Sequence, residues 1–114
     1  MNINDFLKKL ELDPSRIDFE EAMAIIDAHY SFEPTAFKNG ATNNKSGENN
    51  GSCKIFAFGL LHRLSEQQTL ACFGDYYRRD VLANPDNDDH QNIRSFIKNG
   101  WHGISFEGAA LIEK

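Results

Sequence analysis

Cys53 is the residue of this sequence best suited to nucleophilic chemistry. It follows a stretch rich in Asn and Gly and opens an apolar segment of helical periodicity. The amino end of a helix favours a thiolate and therefore lowers the pKa of a cysteine. A nucleophilic cysteine also needs a general base, for which His102 and His90 are candidates. These residues predict a cysteine-dependent hydrolase or acyltransferase, and the alternative is that Cys53 is a small buried apolar residue.

The residues around Cys53 also predict a site for an anion. Ser52 is a candidate N-cap, and free backbone N–H groups at a helix start bind phosphate or carboxylate. Asn50, Gly51, Ser52 and Lys54 would line this site. The alternative is a plain N-cap by Ser52, because every helix start has such N–H groups.

Aromatic residues form a third candidate surface. Tyr30 and Trp101 belong to a set that would make a binding groove if several members lay on one face. Aromatic residues at helical spacing more often belong to a core. The groove predicts a small binding or interaction module, whose partner is a protein or a small anionic ligand.

The composition excludes several classes of function. Seventeen acidic and twelve basic residues give a net charge of −5, so no excess of Lys and Arg is present to bind nucleic acid or an anionic membrane. The four histidines lack the i, i+4 spacing of a zinc helix, and no CxxC motif occurs. We therefore expect no metal ion, no other cofactor, no nucleic-acid partner and no membrane partner.

Helices are the main elements that must position these residues. Apolar periodicity and capping signals predict five of them: one carrying Ile3 to Leu10, one from Asp18 to near His29, one from Ser52 to Leu64, one from the Ser65 capping box to Val81, and one from Asp88 or Asp89 to Gly100. Alternation predicts strands at 30–33, 102–107 and 109–113. Gly59 within the third helix predicts close packing against another element, because Gly costs a helix about 1 kcal/mol relative to Ala.

The segment 39–51 reads NGATNNKSGENNG and predicts a flexible loop rich in Asn and Gly. A loop of this length in a small domain is usually functional or disordered. The 114 residues suffice for one domain. The sequence therefore predicts an α+β fold in which about five helices pack with a small antiparallel sheet in a single compact domain.

Four blocks of the sequence resemble one known family. They are HYSFEPTAFKNG (29–40), NNGSCKIFAF (49–58), LSEQQTLACFGDYYRRDVL (64–82) and DHQNIRSFIKNGWHGISFEG (89–108). In this order they closely resemble the HopJ type III effector family, from about His29 to the C-terminus.

The resemblance implies a bacterial protein with one HopJ-like domain over 1–114, and the family name implies delivery through a type III secretion system. It assigns no catalytic residue and no ligand. The residues themselves favour a reducing compartment, because two cysteines cannot build a disulfide framework. Together with the resemblance, this predicts the bacterial cytoplasm, and it makes a host or bacterial protein the expected protein partner.

Overall fold

The computed structural model describes residues 2–114, which form five α-helices and five short strands. The helices are α1 (Ile3–Leu12), α2 (Phe19–His29), α3 (Asn50–Leu61), α4 (Glu66–Ala71) and α5 (Gln91–Asn99), and the strands are β1 (Tyr30–Phe32), β2 (Phe37–Asn39), β3 (Thr42–Asn44), β4 (Ile104–Phe106) and β5 (Leu111–Glu113). Short 3-10 turns span Pro14–Arg16 and Gly100–Gly103, and a π-helical turn spans Tyr76–Val81. The predicted α+β fold with about five helices is confirmed, although the strands form two small antiparallel sheets.

Side-chain caps determine where three of the helices begin. The side chains of Asn2, Asp18 and Ser65 each accept a hydrogen bond from the backbone N–H three residues later. At Ser65 the side chain of Gln68 also accepts from the backbone N–H of the cap, which completes the predicted capping box. Each cap contributes about 1 kcal/mol to the stability of its helix.

The helix predicted from Ser65 to Val81 is not continuous. α4 ends at Ala71, and the chain resumes as the π-helical turn. Gly74 separates the two with a φ of +61°, and a Cβ on it would lie 2.7 Å from the backbone nitrogen of Phe19. Close contact with the start of α2 and a left-handed backbone therefore interrupt a helix whose side-chain pattern is otherwise uniform.

The predicted 39–51 loop is wrong at both ends, because Asn39 and Thr42–Asn44 belong to a β-hairpin and Asn50 and Gly51 belong to α3. Asn39 ends β2 and pairs with Thr42 at the start of β3. β2 also pairs with β4, which gives the three-stranded order β3-β2-β4. β1 and β5 form the second sheet, with Tyr30 opposite Glu113. Only the remainder of the segment before α3 lacks regular structure.

α3 crosses the core, as its broad apolar surface predicts. Ile55, Phe56 and Phe58 are fully buried. A Cβ on Gly59 would lie 2.7 Å from the ring of Trp101, so the predicted close packing at Gly59 is confirmed. Gly is a poor helix former, but at this position its lack of a side chain lets the Trp101 indole pack against the helix backbone.

Replacing Gly59 by Ala should lower the free energy of unfolding by up to about 2 kcal/mol. Overpacking a core costs about 1 to 3 kcal/mol, and this exceeds the gain of about 1 kcal/mol in helix propensity. Urea unfolding measures the difference. In a Trp101→Phe background, which removes the opposing indole atoms, the cost of Gly59→Ala should shrink, and an equal cost in both backgrounds would contradict the packing explanation.

Candidate functional site

A cleft of about 470 Å³ lies where α3 and α5 begin. Three of the predicted site residues, Gly51, Ser52 and His90, line it together. Asn49, Gln91, Asn92 and Ile93 belong to the same two helix starts, and four other parts of the fold contribute Phe19, Thr42, Phe73 and Tyr76. The cleft is the place in residues 2–114 where the candidate loop and a candidate histidine meet.

The two helices that open onto this cleft both begin without a side-chain cap. Asn49 and His90 are their N-cap residues, and both adopt left-handed backbone conformations with φ near +50° (52° and 51°). Neither side chain accepts a hydrogen bond from its own helix. The other three α-helices have side-chain caps, so the absence is confined to the helix starts at the cleft.

The predicted caps of these helices are therefore wrong. Ser52 is the third residue of α3, not its N-cap, and neither Asp88 nor Asp89 caps α5. Left-handed N-caps carry no simple signal in a sequence, because ordinary caps are extended residues with Ser, Thr, Asp or Asn side chains. The predicted anion site therefore moves toward the start of the chain. The N–H of Cys53 already donates to Asn49 O over 3.0 Å, so the N–H groups without an intrahelical acceptor are those of residues 50–52.

The electrostatics of the cleft come mainly from backbone groups. Among the described residues that line it, none is an Asp, Glu, Lys or Arg. The first N–H groups of each helix lack intrahelical acceptors and carry the positive end of the helix dipole. A small anion in the cleft would therefore meet N–H donors from two helices without an opposing carboxylate on the wall.

A buried network of asparagine side chains holds the two helix starts together. Asn92 Nδ2 donates to Asn44 Oδ1 over 2.9 Å, and Asn44 Nδ2 donates back to Asn92 Oδ1 over 3.1 Å. Asn49 Nδ2 donates to Asn44 Oδ1 over 2.7 Å, and Asn39 Nδ2 donates to Asn92 O over 2.7 Å. These bonds join the hairpin β2–β3 to the N-terminal ends of α3 and α5. The side-chain amide of Asn49 hydrogen-bonds Asn44 and does not cap α3.

His90 is held by a carboxylate beside the cleft. Its Nε2 lies 3.0 Å from Asp80 Oδ2, and its ring centroid lies 5.3 Å from that of Tyr76. Asp80 and Tyr76 both belong to the π-helical turn. The turn that interrupts the predicted helix therefore supplies both contacts that orient this histidine.

Cys53 lies behind the cleft wall in the core. It is 1% exposed, and its Sγ donates a long hydrogen bond of 4.0 Å to Thr35 O. Burial raises the pKa of the Cys53 thiol above its ordinary value. Within residues 2–114 no hydrogen bond joins it to a histidine. These surroundings favour the thiol, which is the opposite of what a nucleophilic cysteine requires.

The other predicted base, His102, lies on the surface away from this wall. It is exposed in the 3-10 turn Gly100–Gly103, ahead of β4. Asn50 is an exposed residue at the first position of α3 and does not line the cleft.

Lys54, Tyr30 and Trp101 each have a partner elsewhere. Lys54 Nζ lies 2.8 Å from Asp27 Oδ1, and Trp101 Nε1 donates to a backbone carbonyl over 3.1 Å. The Tyr30 hydroxyl lies 2.7 Å from His62 Nε2. Burial lowers the pKa of His62 and raises that of Tyr30. None of the three predicted residues lines the cleft.

Sequence reasoning included Tyr76 in its aromatic set but missed Phe19, Phe73 and the asparagine network. Phe19 and Tyr76 lie edge to face with centroids 5.2 Å apart, and both line the cleft. Asn92 offered a signal, because it lies four residues before Phe96 and therefore on the buried face of α5. Asn44 offered none, because its strand was expected to be loop.

A family model and one solved structure match this chain. The model described as HopJ type III effector protein matches residues 3–111. The chain belongs to the HopJ type III effector protein family. It is also similar to a crystal structure of unknown function protein VPA0580, with 56% sequence identity and a TM-score of 0.99 over 100% of this chain and 95% of that chain. No curated protein matches the chain. None of the helices in residues 2–114 has the length and apolarity needed to cross a membrane.

Cys53 should react slowly with iodoacetamide in a Cys72→Ala variant. Because burial raises the pKa of its thiol, the reaction should show a pH midpoint above the ordinary value of about 8.5 and should speed up on unfolding. A Cys53→Ser/Cys72→Ala/Ser46→Cys variant, with its thiol in an exposed turn, should label faster at pH 7. Equal rates for the two variants would contradict the burial of Cys53.

Replacing Asn92 by Ala should lower the free energy of unfolding by about 2 to 3 kcal/mol. The change removes the acceptor for the buried Asn44 amide and leaves Asn44 Oδ1 without one of its donors, and an unsatisfied buried polar group costs about 1 to 3 kcal/mol. Asn43→Ala, at the exposed position next to Asn44 in β3, is the control and should change stability little. Similar losses for both variants in urea unfolding would refute the network's role.

Proposed function

We propose that this HopJ family protein binds a small anionic ligand in the cleft, through backbone N–H groups at the starts of α3 and α5. One observation carries the proposal: the two α-helices of residues 2–114 that lack side-chain caps are the two that open onto the cleft. A ligand oxygen would accept from the N–H groups that a cap would otherwise satisfy.

The size and wall of the cleft support a ligand with an apolar part. About 470 Å³ lies within the range of small-molecule sites in proteins, roughly 300 to 1,000 Å³. Phe19, Phe73 and Tyr76 give it an aromatic side. The hydroxyls of Thr42 and Ser52, which make no side-chain hydrogen bond within residues 2–114, are further donors for a phosphate or carboxylate.

This proposal places the protein among binding modules, without a cysteine nucleophile. The hydrolase hypothesis needs a thiolate at Cys53, and the buried thiol with its raised pKa gives that hypothesis no support. A host or bacterial protein partner stays a prediction. Bacterial origin and delivery by a type III system are what the family description suggests. The two free thiols suit the reducing interior of a bacterial cell and of a host cell alike.

Ser52→Asp should abolish anion binding while leaving the fold intact. A carboxylate at the third position of α3 would occupy the N–H groups and stabilise the helix end, but it would repel the ligand. Inorganic phosphate and propionate are the probes. In the parent protein they should shift the NMR resonances of the Gly51, Ser52 and Asn92 amides, and in the variant their affinities should fall at least about tenfold, which corresponds to about 1.4 kcal/mol.

Ser46→Asp is the matched control, since it adds the same charge at an exposed turn that does not line the cleft. It should keep the affinity of the parent for both probes. The proposal fails if neither anion shifts these amides in the parent, or if the two variants lose affinity equally, because the second result would reflect net charge alone.

A further inference from the structure

One ring nitrogen of His90 is hydrogen-bonded within the described chain, and the other is not. Nε2 lies 3.0 Å from Asp80 Oδ2 and 3.8 Å from Asp89 Oδ2. Within residues 2–114, Nδ1 makes no hydrogen bond. The side chain is 29% exposed and lines the cleft, and its face is covered by Tyr76.

The two carboxylates determine which nitrogen of a neutral ring carries the proton. An ionised carboxylate accepts hydrogen bonds and donates none, so Nε2 must be the N–H donor to Asp80. Arg94 hydrogen-bonds Asp89 through Nη2 over 2.6 Å and keeps that group ionised by lowering its pKa. Nδ1 is then an unprotonated lone pair, the one group of the ring able to accept a hydrogen bond from a ligand.

We propose that His90 selects anions that carry a hydroxyl group, because its Nδ1 accepts a hydrogen bond from that hydroxyl. Asp80 is the positioning residue, which fixes the orientation of the ring. This inference rests on the proposed anion site and names the ligand class within it. The helix N–H groups are donors and suit the anionic group, whereas Nδ1 is an acceptor and suits a hydroxyl beside it. The ligand is therefore a hydroxy acid or a hydroxylated phosphate ester, such as lactate or glycerol phosphate.

The backbone at His90 agrees with a role beyond packing. Its φ of 51° is a left-handed conformation, which costs a residue other than Gly about 1 kcal/mol or more. Such positions persist where the surroundings impose them, and they occur often at ligand sites. His90→Gly loses the contacts of the ring with Asp80 and Tyr76 but relieves the backbone, so the variant should stay folded.

The first experiment reads the tautomer in the free protein by ¹⁵N NMR of the imidazoles at pH 8.5, where an ordinary imidazole is neutral. His90 should show a protonated Nε2 and an unprotonated Nδ1. His102, which is exposed and makes no side-chain hydrogen bond in the described chain, is the internal control and should show a mixture of both forms. A His90 ring protonated on Nδ1, or one as mixed as His102, overturns the inference.

The second experiment compares matched ligands at the same pH: lactate with propionate, and glycerol 3-phosphate with propyl phosphate. In the parent protein the hydroxylated member should bind about threefold to tenfold more tightly, the gain from one hydrogen bond. In His90→Gly this preference should fall below twofold, and the measured quantity is the ratio of the two affinities within the variant, whatever its affinity for the non-hydroxylated member. The carboxylate and phosphate pairs together distinguish which anionic group the cleft prefers.

The outcomes separate this inference from the proposed function. If all four ligands bind the parent protein without a hydroxyl preference, or if the preference survives in His90→Gly, the role of His90 is refuted and the anion site stands. If none of the four binds and the amides at the two helix starts do not shift, the anion site is refuted and the ligand class with it.

Discussion

Four asparagine side chains from three segments of the chain make the interaction on which the rest of this structure depends. Amide groups lose water when they are buried, and they are tolerated only where they hydrogen-bond one another or the backbone. Asn44 and Asn92 exchange two such bonds, while Asn39 and Asn49 attach a strand and a helix start to the pair. Apolar contacts alone would permit many arrangements of the hairpin against α3 and α5, whereas the directions of these bonds permit few. The cleft is a consequence of that restriction.

The two helix starts at the cleft differ from the other three because they lack a side-chain cap. α1, α2 and α4 satisfy their first N–H groups with their own side chains, and each gains stability by doing so. α3 and α5 forgo that gain, because their N-cap residues are engaged with Asn44 and with Asp80. Protein domains are only marginally stable, so an omission of this kind at two adjacent helix ends is a cost that a binding role would explain.

Local signals in the sequence located most helices, but contacts between distant segments decided the site. The periodicity of Ile3 to Leu10 and the capping box at Ser65 act within a few residues, so they could be identified directly. β3 could not, because Asn residues disfavour strands, and the one that is buried here, Asn44, is stabilised by Asn92, far along the chain. The break at Gly74 depends on contact with α2, which no local pattern encodes. Gly51, Ser52 and His90 were identified as candidates, whereas their aromatic neighbours required the fold.

The pairing of β1 with β5 sets an order for the assembly of this domain on the ribosome. Tyr30 leaves the exit tunnel early, yet its partner is Glu113, and β2 likewise waits for β4. At about 5 to 20 residues per second, β1 and the edge of β2 that faces β4 stay unpaired for several seconds while the intervening helices are synthesised, although the other edge of β2 pairs at once with β3. A nascent chain that stops short of β4 is therefore a partly helical intermediate with exposed strand edges, and the sheet that β1 begins is completed only when β5 is synthesised.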